Sequence, residues 1–251
     1  MSAQRRENNM WRMNYSITVN LPRLPKILET MHRMADRPDL YTEQDAYDYV
    51  RNVVVGLMQK TGFIRTVCFG KENLPEEGGY VLYPNHQGKY DGYSIISSHE
   101  KCLTAVMDRE MSYFVLINEI VETLRGKRLD IQNARQALKI INAVAEEVKA
   151  GRRYIIFPEG AYDNQKHNRL WDFKPGCFKA ATKAAVPIVP VALVDSYKAY
   201  NSWCITPVKT QVHFLKPLLP EEYQDMNTTQ IAAEVKNRIQ NKLTELGFLT
   251  E

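Results

Sequence analysis

The chain has 251 residues, 44% of them hydrophobic and 25% charged, with a formal net charge of +4. That is enough apolar chain for one substantial globular core, and too balanced a composition for a disordered or fibrous protein. The small basic excess lies mostly near the N-terminus, which argues against a nucleic-acid groove, and no Gly-x4-Gly-Lys-Ser loop marks a nucleotide site.

In chain order, residues 10 to 34 come first. They combine Met10, Trp11, Met13, Tyr15, Ile17, Leu21, Leu24, Ile27, Leu28 and Met31 with Arg12, Arg23, Lys26 and Arg33, against Glu29 alone. Such apolar side chains can enter a bilayer interface while the basic ones meet anionic lipid, each worth about 1 kcal/mol near the surface. An arm packed on its own domain, or a partner interface, fits the same composition equally well. No stretch reaches the roughly 18 apolar residues of a spanning helix, and no signal-peptide core is expected. Thr42 then caps a predicted helix with Ala46, Tyr49, Val50, Val53, Val54, Leu57 and Met58 on one face, Asp48, Arg51, Asn52 and Gln59 on the other, and Gly62 as its stop. Its apolar stripe suits a core or a membrane-resting element.

A short strand is expected from Arg65 to Phe69, followed by the turn Pro75-Glu76-Glu77-Gly78-Gly79. Tyr80-Val81-Leu82-Tyr83 reads as a buried strand ended by Pro84. His86 and Asp91 follow, five positions apart with Gly88 between them. On a continuous helix they would point about 140° apart. A bend at Gly88 lets them meet, and a carboxylate on one imidazole nitrogen leaves the other free to take a proton from a hydroxyl. The alternative is a loop histidine that merely caps the next helix. Within Gly92-Tyr93-Ser94-Ile95-Ile96 the closing glycine of a serine-hydrolase elbow is absent, so Ser94 reads as a helix residue.

The next predicted helix has Asp130 as its cap, Ile131, Ala134, Ala137, Leu138, Ile141, Val144, Ala145 and Val148 as its buried stripe, and Gly151 as its stop. It feeds the apolar strand Tyr154-Ile155-Ile156-Phe157, which ends in Pro158 and is followed by Glu159 and Gly160. Ligands gather at the carboxyl ends of strands in α/β sheets, so this end and the His86 end can share one cleft. Glu159 can also be read as an ordinary helix-start acid. Cys177 lies near a helix start, where a thiol pKa can fall, but reads as structural. A last helix runs from Thr228 to Leu246 with Ile231, Val235, Ile239, Leu243 and Leu246 inward and Gly247 as its stop. Strand, helix and strand in alternation predict a single α/β domain, its sheet mixed but largely parallel and covered by helices.

Asn85-His86-x4-Asp91, with Phe157-Pro158-Glu159-Gly160 some seventy residues later, resembles the glycerolipid acyltransferase family that includes the 1-acylglycerol-3-phosphate acyltransferases. Phe173-Lys174-Pro175-Gly176 resembles its Phe-Lys-x-Gly segment, and Val186-Pro187-Ile188-Val189-Pro190-Val191 its late apolar strand. The resemblance implies that His86 deprotonates an acceptor hydroxyl, Asp91 holds the imidazole, and the hydroxyl attacks an acyl thioester with no enzyme nucleophile. It places Glu159, Gly160, Lys174 and Gly176 at the substrate. Arg128 is the nearest positional match to a family arginine that meets the acceptor. Ala161 and Tyr162 stand where many members have threonine and a phosphate-binding arginine, which a phenol does not replace. Lys89, Lys166 and Arg169 are nearby cations that can compensate.

The expectation is a peripheral enzyme at the cytoplasmic face of the membrane. Residues 1–62 form its arm and amphipathic helix, and residues 63–251 its acyltransferase domain. Its donor is acyl carrier protein or coenzyme A thioester and its acceptor a lysophospholipid, foremost 1-acylglycerol 3-phosphate. Glycerol 3-phosphate, another lysolipid or an amine-bearing lipid is the alternative acceptor, water the acceptor of a hydrolase, and a non-catalytic lipid-binding protein the alternative class. No cofactor, metal or nucleic-acid partner is expected. Cys68, Cys102, Cys177 and Cys204 contain no Cys-x-x-Cys pair and fit a reducing compartment, and His32, His99, His167 and His213 read as surface or packing residues.

Overall fold

The structure is a computed structural model and describes residues 11–113, 116–163, 166–201 and 206–249. Met10, Asn164 and Cys204 lie outside the described residues. Seven strands, β1 (Ile64–Phe69), β2 (Tyr80–Pro84), β3 (Thr104–Asp108), β4 (Lys127–Leu129), β5 (Arg153–Ile155), β6 (Ile188–Val194) and β7 (Val208–Phe214), form one sheet in the order β1-β7-β6-β2-β5-β3-β4. Among these described strands, β6 and β7 alone pair antiparallel. All other neighbours are parallel, so β2 to β6 deliver their carboxyl ends to one rim.

The helices are α1 (Trp11–Asn20), α2 (Leu24–Asp36), α3 (Glu43–Tyr49), α4 (Gly56–Thr61), α5 (Asp91–Ser98), α6 (Ile117–Thr123), α7 (Ala134–Lys149), α8 (Lys179–Ala184), the single turns α9 (Lys198–Asn201) and α10 (Pro220–Tyr223), and α11 (Thr228–Glu245). Every residue of β2 and β6 is buried, as parallel strands with helices on both faces must be. Alternate side chains divide between two cores. Tyr80, Leu82, Val189, Val191 and Leu193 join the core under α2 to α6, and Val81, Tyr83, Ile188, Ala192 and Val194 join the one under α7, α8 and α11.

Two helices depart from their periodicity. Thr42 caps α3, its hydroxyl accepting the Asp45 N–H at 3.1 Å, and Gly62 follows α4, but Val50–Val55 between them winds as a π-helix. The wider turn rotates the inward face. Tyr47 and Val55 are fully buried, whereas Tyr49, Val53 and Leu57, expected in the stripe, are half-buried. Helix α7 is capped by Asn133, whose side chain accepts the Gln136 N–H at 3.0 Å. Asp130, the expected cap, instead accepts the Gln132 N–H in a local turn. The buried stripe of α7 is Ile141, Val144, Ala145 and Val148. Ile131 and Leu138, expected in it, are 45% and 48% exposed, and Ala134 is exposed too. Their end of the helix flanks β4, an edge strand of three residues with little surface to cover them.

Helix α1 inverts the usual arrangement. Its buried residues are Arg12, Ser16 and Asn20. Arg12 donates to the carbonyls of Gly62 at 2.9 Å and Thr206 at 2.6 Å, Ser16 meets the Thr61 hydroxyl, and Asn20 donates to Thr61 at 3.1 Å. Tyr15, Val19 and Leu21 are left 43%, 41% and 53% exposed. Ile27 and Met31 of α2 enter the first core. Among the described residues, no helix is long and apolar enough to cross a membrane.

Candidate active site

β2 ends at Pro84, and the loop Asn85-His86-Gln87-Gly88 crosses the rim before α5 starts at Asp91. That bend lets His86 Nδ1 reach Asp91 Oδ2 at 2.7 Å. The same oxygen accepts the N–H of Gln87 at 2.5 Å and of Gly88 at 2.9 Å. The carboxylate, wholly buried, therefore shapes the loop that presents the histidine. A proton on Nδ1 toward the carboxylate leaves the lone pair on Nε2, and the imidazole is 18% exposed. Asn85 clamps the loop to β6, donating to Leu193 O at 3.1 Å and accepting the Leu193 N–H at 2.7 Å.

Glu159, at the end of β5, holds the loop from the other side. Its Oε1 accepts the backbone N–H of His86 at 2.9 Å. Its Oε2 accepts the Trp171 N–H at 3.2 Å and pairs with the buried ammonium of Lys166. The two strand ends thus meet through a carboxylate rather than sharing a helix start. Burial lowers the Lys166 pKa, and Glu159 opposes that fall. The Lys166 ammonium also lies 4.9 Å from the centre of the Trp171 ring.

The imidazole packs against two aromatic rings. Phe157 stacks on it with centroids 4.1 Å apart, and Tyr162 lies tilted at 4.7 Å. Burial, with the Asp91 charge adding to it, pushes the Tyr162 phenol up to about 12. The residue in the arginine position is therefore a neutral ring against the imidazole.

The other predicted residues divide by place. Gly160 has φ +72°, and a Cβ there would sit 2.5 Å from Lys174 Nζ, so the lysine stem crosses above it. The Lys174 N–H donates to Pro158 O at 2.9 Å, which ties the Phe-Lys-Pro-Gly segment to the Phe-Pro-Glu-Gly turn. Gly176 lies in the turn Pro175–Phe178 before α8 and faces open space. Lys89 is half-buried in the His86 loop, its pKa lowered by burial. Arg128 stands apart, on the edge strand β4 with β3 and β5 between it and β2. Its guanidinium donates to Ser112, Glu122 and Asn118 at 2.9, 2.6 and 2.9 Å.

Ser94 is buried in α5 and donates to Asp91 O at 2.7 Å, as a helix residue does. Burial pushes the Cys177 thiol up to about 11, which disfavours the thiolate and fits a structural cysteine. Sequence reasoning missed Gln87, Asn168 and Ser196. Gln87 donates to Asn168 Oδ1 at 2.7 Å and to Leu193 O at 2.8 Å, and Ser196, just past β6, donates to Asp91 Oδ1 at 2.5 Å. The parallel β2–β6 pairing sets Gln87 beside Ser196, the segment after β5 adds Asn168, and no local pattern announces either meeting.

The family model described as Acyltransferase matches residues 65–194, just over half of the chain, from within β1 to the end of β6. The chain belongs to the acyltransferase family. It is 25% identical over 187 residues to a 1-acyl-sn-glycerol-3-phosphate acyltransferase of Saccharomyces cerevisiae, covering 71% of this chain and 60% of the relative. Its identity to the enzyme of that name from Cocos nucifera is 28% over 144 residues, covering 56% and 46%. The chain thus spans only about half to three-fifths of these relatives. The crystal structure of the 1-acyl-sn-glycerophosphate acyltransferase PlsC from Thermotoga maritima superposes with a TM-score of 0.73 at 20% identity, over 97% of this chain and 98% of that one, and so shares its fold.

Proposed function

We propose that this acyltransferase moves a fatty acyl group from an acyl carrier protein or coenzyme A thioester to the free hydroxyl of a 1-acylglycerol 3-phosphate. The observation that carries the reading is the His86 Nδ1 to Asp91 Oδ2 bond at 2.7 Å, held at the rim of the sheet by Glu159. His86 Nε2 takes the acceptor proton as the hydroxyl oxygen attacks the thioester carbonyl. The tetrahedral intermediate collapses, the C–S bond breaks, and the thiolate takes the proton back from the imidazolium. The new C–O ester bond replaces the thioester, and the step balances without a cofactor.

Glu159 and Gly160 shape the floor of the acceptor site in this reading. Lys174 and Lys89 supply its positive charge, with Gly176 leaving the approach open and Arg128 acting from the rim's edge. The names of the relatives support lysophosphatidic acid as acceptor. The neutral Tyr162 ring against His86 favours a second reading, in which another lysolipid or an amine-bearing lipid is preferred, with glycerol 3-phosphate, which keeps the phosphate, as a further alternative acceptor. The exposed Tyr15, Val19 and Leu21 support a peripheral membrane position, which this reading assigns to the cytoplasmic face.

The test is an acceptor panel with both labelled donors. Preferential acylation of 1-acylglycerol 3-phosphate supports the first reading, and faster acylation of another acceptor the second. Free fatty acid as the main product identifies a hydrolase. Lipid binding without turnover on any acceptor identifies a binding protein.

A further inference from the structure

The two oxygens of Asp91 are used unequally. Oδ2 accepts three donors, the imidazole and two loop amides. Oδ1, facing away from His86, has one donor among the described residues, the Ser196 hydroxyl at 2.5 Å. Ser196 is itself only 1% exposed, so no bulk solvent replaces that bond.

The single proton of the hydroxyl has two acceptors in reach, Asp91 Oδ1 at 2.5 Å and Gln87 Oε1 at 2.9 Å. Gln87 Oε1 already receives the Ser196 N–H at 2.9 Å. The carboxylate is charged and nearer, so it takes the hydroxyl proton. Gln87 cannot turn away, because its amide donates to Asn168 Oδ1 and Leu193 O. Asn168 is locked in turn by accepting the Asp195 N–H at 3.0 Å and donating to Asp195 Oδ1 at 3.1 Å. The end of β6 therefore fixes where the hydroxyl points.

We infer that Ser196 is a positioning residue for the His86–Asp91 pair, its hydroxyl fixing the rotation of the Asp91 carboxylate and limiting how tightly that carboxylate holds a protonated His86. A donor on the far oxygen draws negative charge from the near one. Without it, the carboxylate is a stronger base, the imidazolium is held harder, and the base is blocked by a proton at higher pH. The kinetic part of this inference rests on the acyl-transfer reading above.

The charged and titratable groups around the pair are Glu159 on the His86 amide, Lys166 on Glu159 with Asp163 near it, Tyr162 against the ring, Lys89 within the loop, and Asp195 with its partner Lys198 beside Ser196. None is altered by substituting Ser196.

The test is S196A, with S196T and S196V as a pair of equal shape that differ in the hydroxyl. In S196A, kcat falls roughly tenfold, about the worth of one hydrogen bond to a charged group, and the acid limb of the kcat/KM profile moves to higher pH. The NMR titration of the His86 ring in the substrate-free protein moves the same way. S196T matches the unmodified protein and S196V matches S196A; that pair carries the comparison should S196A fail to fold. An activity loss with an unmoved profile and unmoved titration reduces Ser196 to a packing role and overturns the inference, as does a titration shared by S196T and S196V. The ring titration needs no turnover, so failure of the acyl-transfer reading and failure of this one are told apart.

Discussion

At the scale of single residues, His86 and Asp91 have different burdens. Among the described residues, the partly exposed imidazole makes one side-chain bond, whereas the wholly buried Asp91 accepts four donors. His86→Ala should therefore lower the melting temperature less than a change at Asp91 does, while transfer falls about 10²- to 10⁴-fold, the usual contribution of a general base. A steady-state assay beside a thermal melt checks it, and retained transfer would remove His86 from the chemistry. Asp91→Asn should cost both, because an amide brings its own N–H groups into a cage of donors. Cys177 gives the converse prediction. With its thiol pushed up to about 11, only about one molecule in a thousand carries thiolate at pH 8. C177A should keep full activity, and iodoacetamide at neutral pH should not inactivate the enzyme by modifying this residue. His86 and Glu159 were legible in the sequence because each follows a proline that closes an apolar run, and Asp91 because of its spacing from His86. Ser196 was not, since its partner lies 105 positions away.

At the scale of elements, the strands and the long helices followed from apolar runs and caps, while local geometry hid the rest. The π-turn at Val50–Val55 is invisible to a three-four spacing count, and the start of α7 overhangs a strand whose shortness no helix pattern reports. One junction of three elements carries a pH-dependent load. His99 follows α5 and is almost fully buried. Its Nδ1 donates to Lys101 O at 2.7 Å and its Nε2 accepts from the Tyr80 hydroxyl of β2 at 2.5 Å, while its own carbonyl accepts from Tyr47 of α3 at 3.2 Å. The neutral ring meets both partners in this way, and burial holds the pKa down at about 4 against an ordinary 6.5. The folded pKa lies below the unfolded one, so the unfolded chain binds the proton first. Stability is full above pH 6.5 and is lost as pH falls from 6.5 toward 4, by up to about 3 kcal/mol. Melting temperatures across that window should fall more steeply in the unmodified protein than in His99→Gln, and equal slopes would count against the buried neutral ring.

At the scale of the whole molecule, the mixed, largely parallel sheet was expected from strand and helix alternation, but the antiparallel join of β7 to β6, which brings β1 to the far edge, depends on long-range register. The N-terminal segment likewise resisted composition alone. Packing on the domain and meeting a membrane were alternatives in the sequence, yet α1 turns Arg12, Ser16 and Asn20 inward and Tyr15 and Val19 outward, with Leu21 of the following turn also exposed, which allows both at once. Its outward face continues into Phe63, whose ring stacks with Tyr15 at 6.4 Å. Removing residues 1–34 is consequently a poor probe, since it also strips Ile27 and Met31 from the core. Replacing Tyr15, Val19 and Leu21 together with serine alters only exposed side chains. If this face enters the lipid interface, anionic vesicle binding should weaken at least about tenfold, because fully burying each such side chain is worth roughly 1.5–3 kcal/mol and even partial insertion of three exceeds the tenfold mark. The fold should persist by circular dichroism, and acylation of a water-soluble, short-chain acceptor should continue at the original rate, because the site at His86 is built from β2, β5, β6 and the loops at their ends rather than from α1. Unchanged vesicle binding in a folded variant would move the membrane contact to another surface. Loss of both activities would instead tie α1 to the integrity of the site.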